Sequence, residues 1–261
     1  MATLAQEPVA PVASDDRFFL RAAIVMTIVI VAGFSLNWFM GRSTFHAPLR
    51  VHAHAVVFMG WVAIYLLQNV FVATDRMAWH RRLGWVAAAW MLPMIVLGCF
   101  ATVAMVRNGQ VPFVFRPLHF LIFDTLTVFS FVGLTSAAIA LRRQTGWHRR
   151  LHFCAMSLLL MPAIGRLLPM PFLIPWAWEW AFAASLLFPI AGIASDVRRS
   201  GRAHPAWRWG IAAMIGTFVL VEAATFSAFG PALYKSVTAG SPGAALGPLD
   251  YPPPPPGAPG H

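Results

Sequence analysis

The chain has 261 residues, of which 59% are hydrophobic and 11% charged, and its mean hydropathy is +0.67. A soluble domain of this length carries about 25% charged residues, so composition excludes an ordinary soluble fold and points to an integral membrane protein. The formal net charge of +10 does not read as nucleic-acid binding, because the arginines fall between apolar runs, where they set topology and meet anionic lipid.

A bilayer core of about 30 Å needs roughly 20 mostly apolar residues per helix. Residues 1–17 form a polar leader containing Asp15, Asp16 and Arg17, expected on the cytoplasmic side. The apolar run 18–40 follows it without a small-residue cleavage site, as a retained helix does. Further runs at 51–73, 83–106, 115–141, 151–169, 172–194 and 206–230 complete seven predicted spans, an all-α polytopic transmembrane bundle occupying 18–234. Between the fifth and sixth runs, Leu168-Pro169-Met170-Pro171 predicts either a tight hairpin turn or a kink. Pro93, Pro162 and Pro189 lie inside runs and predict kinks. Residues 235–261 are rich in Gly, Pro and Ala and are expected to be extended or disordered. Cys99 and Cys154 fall in different runs at different expected depths, as packing residues rather than a disulfide.

Arginine and lysine are distributed unevenly between the two sides. Arg17, Arg21, Arg76, Arg81, Arg82, Arg142, Arg143, Arg149, Arg150, Arg198, Arg199, Arg202 and Arg208 fall on the amino-terminal side, against Arg42, Arg50, Arg107, Arg116, Arg166 and Lys235 on the other. The positive-inside rule places the amino terminus in the cytoplasm and the carboxy terminus in the periplasm of a bacterial inner membrane, with anionic lipid at the arginine-rich ends. Tryptophans at predicted helix ends, among them Trp38, Trp79, Trp147, Trp176 and Trp209, agree with interfacial anchoring.

One five-residue repeat is present: Trp79-His80-Arg81-Arg82-Leu83 recurs as Trp147-His148-Arg149-Arg150-Leu151. It implies that helices two and three form a hairpin repeated as helices four and five, related by an axis along the membrane normal. That axis brings helix two toward helix four and helix three toward helix five. The histidines then fall into two layers, with His46, His52, His54 and His119 outside and His80, His148 and His152 inside. Two imidazoles facing one another in a layer are what a haem iron needs for axial ligation from both sides.

Along helix two, His54, Phe58, Trp61, Tyr65 and Gln68 share one face, while His52 points roughly 160° away from His54. His54 is therefore the outer candidate on that helix, with His119 on helix four. His152 and Arg166 are expected nearly on one face of helix five, where Arg166 suits a propionate, a lipid phosphate or a carboxylate. His80 and His148 each stand beside two arginines, which equally suits anchoring at a lipid surface.

Asp124, Glu179 and Glu222 are carboxylates within spans, all in the predicted outer half with Arg166. A carboxylate in hydrocarbon costs several kcal/mol unless paired, hydrated or protonated. With His54 and His119, Asp124 and Glu222 would form a polar cavity able to hold a transition metal, since imidazole and carboxylate suit iron, copper or zinc. The alternative is plain pairing: Arg166 neutralises one acid, and Glu179 rests in the interface beside Trp178 and Trp180. No phosphate loop, dinucleotide fingerprint, CxxC, CxxCH, HExxH, or GxS-type nucleophile with a base is present, which argues against nucleotide use, covalent haem and common hydrolase chemistries.

The run Arg50-Val51-His52-Ala53-His54, followed by Trp61, Gln68 and His80-Arg81-Arg82-Leu83-Gly84, resembles an uncharacterised family of predicted bacterial membrane proteins with an HRxLG element. The resemblance covers about residues 50–166 and implies no activity. The layered histidines also resemble, in architecture, the transmembrane cytochrome b ferric reductases that use ascorbate. That resemblance implies two haems b, with His54 and His119 as one ligand pair and His80 with His148 or His152 as the other. His80 and His148 are shallower than that family's ligands, and no ascorbate-binding pattern is present.

Two functions follow as expectations. One is a haem b electron-transfer protein, with a quinone or a respiratory complex as partner. The other is a transporter, receptor or metal-handling protein that uses the outer histidine and carboxylate cavity without haem, or an accessory subunit of a respiratory complex.

Overall fold

A computed structural model describes residues 12–41 and 46–254. Residues 1–11 of the leader, Arg42 among the outer basic residues, and 255–261 of the tail lie outside the described residues. The described chain is helical, with no strand. Its helices are α1 (Val12–Phe39), α2 (Leu49–Ala73), α3 (Met77–Arg107), α4 (Pro117–Ala140), α5 (Thr145–Leu159), α6 (Met161–Leu167), α7 (Ala177–Ser200), α8 (Pro205–Phe226) and α9 (Phe229–Thr238).

Six of these helices, α1, α2, α3, α4, α7 and α8, are long and apolar enough to cross a membrane. The protein is an integral, multi-pass membrane protein on that ground. The remaining apolar run, predicted at 151–169, is broken into α5 and α6. Pro162 sits in the first turn of α6, where its missing N–H interrupts the ladder. Pro93 and Pro189, by contrast, lie inside α3 and α7 without dividing them. The predicted joint at 168–171 is a short passage with a 3-10 turn at Met170–Leu173, so the following span begins at Ala177 rather than 172.

Local signals set several boundaries. Pro117 and Pro205 stand at the first positions of α4 and α8, where a helix has no use for their N–H. The His204 ring nitrogen Nδ1 accepts the Ala206 N–H at 3.1 Å and caps α8, a role usually played by a short polar side chain. Gly201 closes α7 in the left-handed conformation at φ 71°.

Helices α1, α2, α3, α4 and the α5–α6 pair pack in sequence, and α6 returns to α1, which closes a ring. Helix α8 packs on α4 and α5, and α7 on α5 and α6. The most polar of the long apolar runs is thus taken inside: Arg150, Leu151 and the whole stretch 153–158 are buried. At α7 and α8 a glycine permits the approach, since the Trp207 ring occupies the place of a Cβ at Gly192. The surface toward the surrounding medium is apolar along α1, α3, α7 and α8, as Ile28, Leu92, Leu187 and Leu220 illustrate.

Three helices and the start of α1 are tied together at the arginine-rich end. Arg150 donates to Asp196 from Nε at 2.8 Å and from Nη2 at 2.6 Å. Trp207 Nε1 donates to the same carboxylate at 2.8 Å, and Arg199 Nη2 at 2.9 Å. Arg149 bonds Asp15 and Asp16 at 2.8 and 3.0 Å, and Arg199 reaches Asp15 at 2.6 Å. Asp15 and Asp16 therefore belong to α1 and its contacts.

The tail differs from the expectation of an extended or disordered segment over its described part. Helix α9 runs through Thr238, and Pro242–Ala245 form a 3-10 turn. Tyr234 Oη donates to Gly243 O at 3.0 Å, Leu118 N donates to Pro248 O at 2.9 Å, and Arg107 Nη1 donates to Val237 O at 2.5 Å. Residues 235–254 thus lie over the ends of α3 and α4.

Asp196→Ala leaves the buried Arg150 guanidinium with Asp15, at 3.7 Å, as its remaining counter-charge among the described residues. The expected outcome is a loss of about 3–5 kcal/mol, read as a lowered melting temperature of the detergent-solubilised protein. An unchanged melting temperature contradicts the assignment.

Candidate functional site

At the end of the bundle away from the arginines, polar side chains within the spans form two groups. The first is drawn from α2, α3, α4 and α6. Asp124 is hydrogen-bonded to the Thr102 hydroxyl, which also lies 3.0 Å from Gly98 O. His54 and Arg166 are both near enough to interact electrostatically with Asp124. His54 Nδ1 lies 3.4 Å from Leu97 O, and its ring stacks on Phe58 at 4.3 Å. Arg166 Nη1 donates to Pro162 O at 2.6 Å, and its guanidinium lies 4.3 Å from the Phe34 ring centroid. Among the described residues, the buried Nε of Arg166 has no hydrogen-bond partner.

The second group lies among α4, α7 and α8. His119 Nε2 and Glu222 Oε1 are 3.0 Å apart, and the His119 ring rests on Trp178, Phe123 and Phe226. Glu179 and Arg116 interact electrostatically with Glu222. Arg116 lies over the Tyr251 ring at 5.2 Å, so the tail covers this group. His119 and Asp124 are five residues apart on α4, about 140° around the helix. They therefore serve different neighbours, and the expected single cavity is divided into His54 with Asp124 and His119 with Glu222. Among the described residues, no set of three or more His, Cys, Asp or Glu is arranged to hold a metal ion.

The arginine-rich end holds a third group. The His80 and His148 ring centroids are 6.2 Å apart, and those of His148 and His152 are 4.8 Å apart. His148 Nδ1 donates to Ala138 O at 2.8 Å. Among the described residues, His80 Nδ1 is buried without a well-formed hydrogen bond, with the Gln68 backbone beside the ring, and Gln68 Oε1 is buried without a partner. The α2 face predicted from His54, Phe58, Trp61, Tyr65 and Gln68 does turn inward, with Trp61 and Tyr65 buried and Trp61 against Phe131 of α4 at 5.0 Å.

His80 of α3 and His148 of α5 come into ring contact, although α3 and α5 do not pack along their lengths. The expected outer pair is different, because His54 and His119 each have their own partner. Arg166 shares no continuous helix with His152, since the chain breaks between them. Sequence reasoning missed Thr102, whose hydroxyl holds Asp124. The signal was there: Gly98 and Thr102, one turn apart on α3, form a small polar stripe of the kind that bonds across membrane helices.

Compared with known protein families, curated proteins and solved structures, the chain matches none. The site is therefore read from its own geometry.

The His119 and Glu222 contact is expected to be coupled. In a double-mutant cycle of His119→Ala and Glu222→Gln, followed by unfolding in detergent, the interaction energy should be roughly 0.5–3 kcal/mol. Strict additivity would show that the two side chains do not act on each other.

Proposed function

We propose that this membrane protein binds haem b at the arginine-rich end and transfers electrons, with a quinone or a respiratory complex as its partner. In this reading α5 and α6 together make a seventh crossing, so the bundle has seven spans with a repeated hairpin. The amino terminus lies in the cytoplasm of a bacterial inner membrane and the carboxy terminus in the periplasm.

The observation that carries the haem reading is the convergence of His80 from α3 with His148 and His152 from α5, at ring separations of 6.2 and 4.8 Å. Axial ligation asks for one imidazole from each of two helices, and α3 and α5 supply them. The Ala138 carbonyl fixes the His148 ring through Nδ1, which leaves Nε2 for iron, the usual second-layer support of a ligating histidine. Among the described residues the buried Nδ1 of His80 makes no well-formed hydrogen bond, with the Gln68 backbone beside the ring, and a ligand would satisfy it. The bound group would supply one-electron chemistry. The chain would hold it, set its orientation and keep it in a low-polarity interior. The separate partners of His54 and His119 do not favour a second haem.

A second reading rests on the other end. Thr102 bonds Asp124, His54 and Arg166 are near enough to Asp124 to interact electrostatically, and among the described residues Arg166 keeps a buried unpartnered N–H. A transporter, receptor or metal-handling protein would use this group to bind a polar substrate.

An absorption spectrum separates the two. Protein expressed with ample haem should show a Soret band and a b-type pyridine haemochrome, lost or shifted in His80→Ala and His148→Ala and kept in His54→Ala. No Soret band in the parent protein ends the haem reading and leaves the second. A spectrum unchanged in both inner variants overturns the assigned ligands.

A further inference from the structure

The two copies of Trp-His-Arg-Arg-Leu stand in unequal surroundings. Both lie in the first turns of helices at the arginine-rich end, and their histidines face each other. Beyond the histidine they diverge. In the second copy Arg149 is neutralised by Asp15 and Asp16, and Arg150 by Asp196. In the first copy, among the described residues, no carboxylate lies within ion-pairing distance of Arg81 or Arg82. Asp75, in the preceding turn, makes no such contact either.

Arg81 and Arg82 instead line an open pocket of about 330 Å³ with Ala78 and Trp85. The Arg82 guanidinium lies 5.4 Å from the Trp79 ring centroid. Trp79 and Trp85 are 55% and 72% exposed. From Trp85 an exposed face continues along α3 through Ala89, Leu92, Val96 and Phe100, the four- and three-residue spacing of one helical stripe. A charged head and an apolar track are therefore aligned on one side of a membrane helix.

We propose that Arg81 and Arg82 bind the phosphate of an anionic phospholipid, whose acyl chain lies along the Trp85–Phe100 stripe. The lipid phosphate takes the place in the first copy that Asp15, Asp16 and Asp196 take in the second. Two guanidiniums offer the forked donors that phosphate accepts. Trp79 and Trp85 sit at the depth where aromatic residues meet the glycerol region. The stripe distinguishes a lipid from free phosphate, which has no use for an apolar track. The inference rests on the helices crossing a membrane and is independent of haem.

Native mass spectrometry of the detergent-released protein tests it, with phosphatidylglycerol, phosphatidylcholine and inorganic phosphate offered in turn. Phosphatidylglycerol should be retained roughly tenfold or more over phosphatidylcholine. Arg81→Ala/Arg82→Ala should abolish the preference, and Arg142→Ala/Arg143→Ala, which removes equal charge at the same end, should keep it. Equal retention of the two lipids, or loss of the preference in both variants alike, overturns the site. Inorganic phosphate held as tightly as phosphatidylglycerol overturns the lipid assignment.

Discussion

A charge removed from water must be met by another charge, and the pair of Arg150 with Asp196 is where this protein meets that requirement most fully. Desolvating either ion alone costs several kcal/mol, so the burial of Arg150 depends chiefly on Asp196 delivered by α7, with Asp15 of α1 farther off at 3.7 Å. That carboxylate also receives Trp207 from α8 and Arg199 from its own helix. One acid therefore fixes the positions of α5, α7 and α8. Through Arg149 and Arg199 the same set reaches Asp15 and Asp16 on α1.

The position of α5 follows from that pairing. A helix that begins with Trp147, His148, Arg149 and Arg150 is too polar to face hydrocarbon, and it is surrounded by α4, α7 and α8, with α6 carrying it on to α1. Enclosing α5 places His148 and His152 inside the bundle, opposite His80 of α3. The same geometry leaves the first copy of the motif at the periphery, where its arginines face outward. One short sequence thus has two fates, decided by whether acids from other helices reach it.

How much of this is legible in sequence depends on the range of the interaction involved. Length and apolarity act locally, so α1, α2, α3, α4, α7 and α8 correspond closely to predicted runs. The break before Pro162 was foreseen as a kink but not as a division of the helix. The inward face of α2 follows from its period. Ion pairing was not legible: Asp15 and Arg149 are 134 residues apart, and nothing local marks them as partners. The same limit explains the outer layer, where His119 is matched to Glu222 across 103 residues rather than to His54. The tail misled for another reason. Its Gly and Pro content describes a chain unable to build its own core, yet Gly243 and Pro248 accept hydrogen bonds from Tyr234 and Leu118 of the bundle.

The account turns on the α5–α6 segment, enclosed by the bundle and proposed as a crossing of its own. Six crossings return the chain to the side on which it began, and seven do not. Reporter fusions read on both sides of the membrane, one at the amino terminus and one after residue 254, distinguish these directly. The account predicts an amino-terminal reporter active only in the cytoplasm and a carboxy-terminal reporter active only in the periplasm. Both reporters on the same side would contradict it.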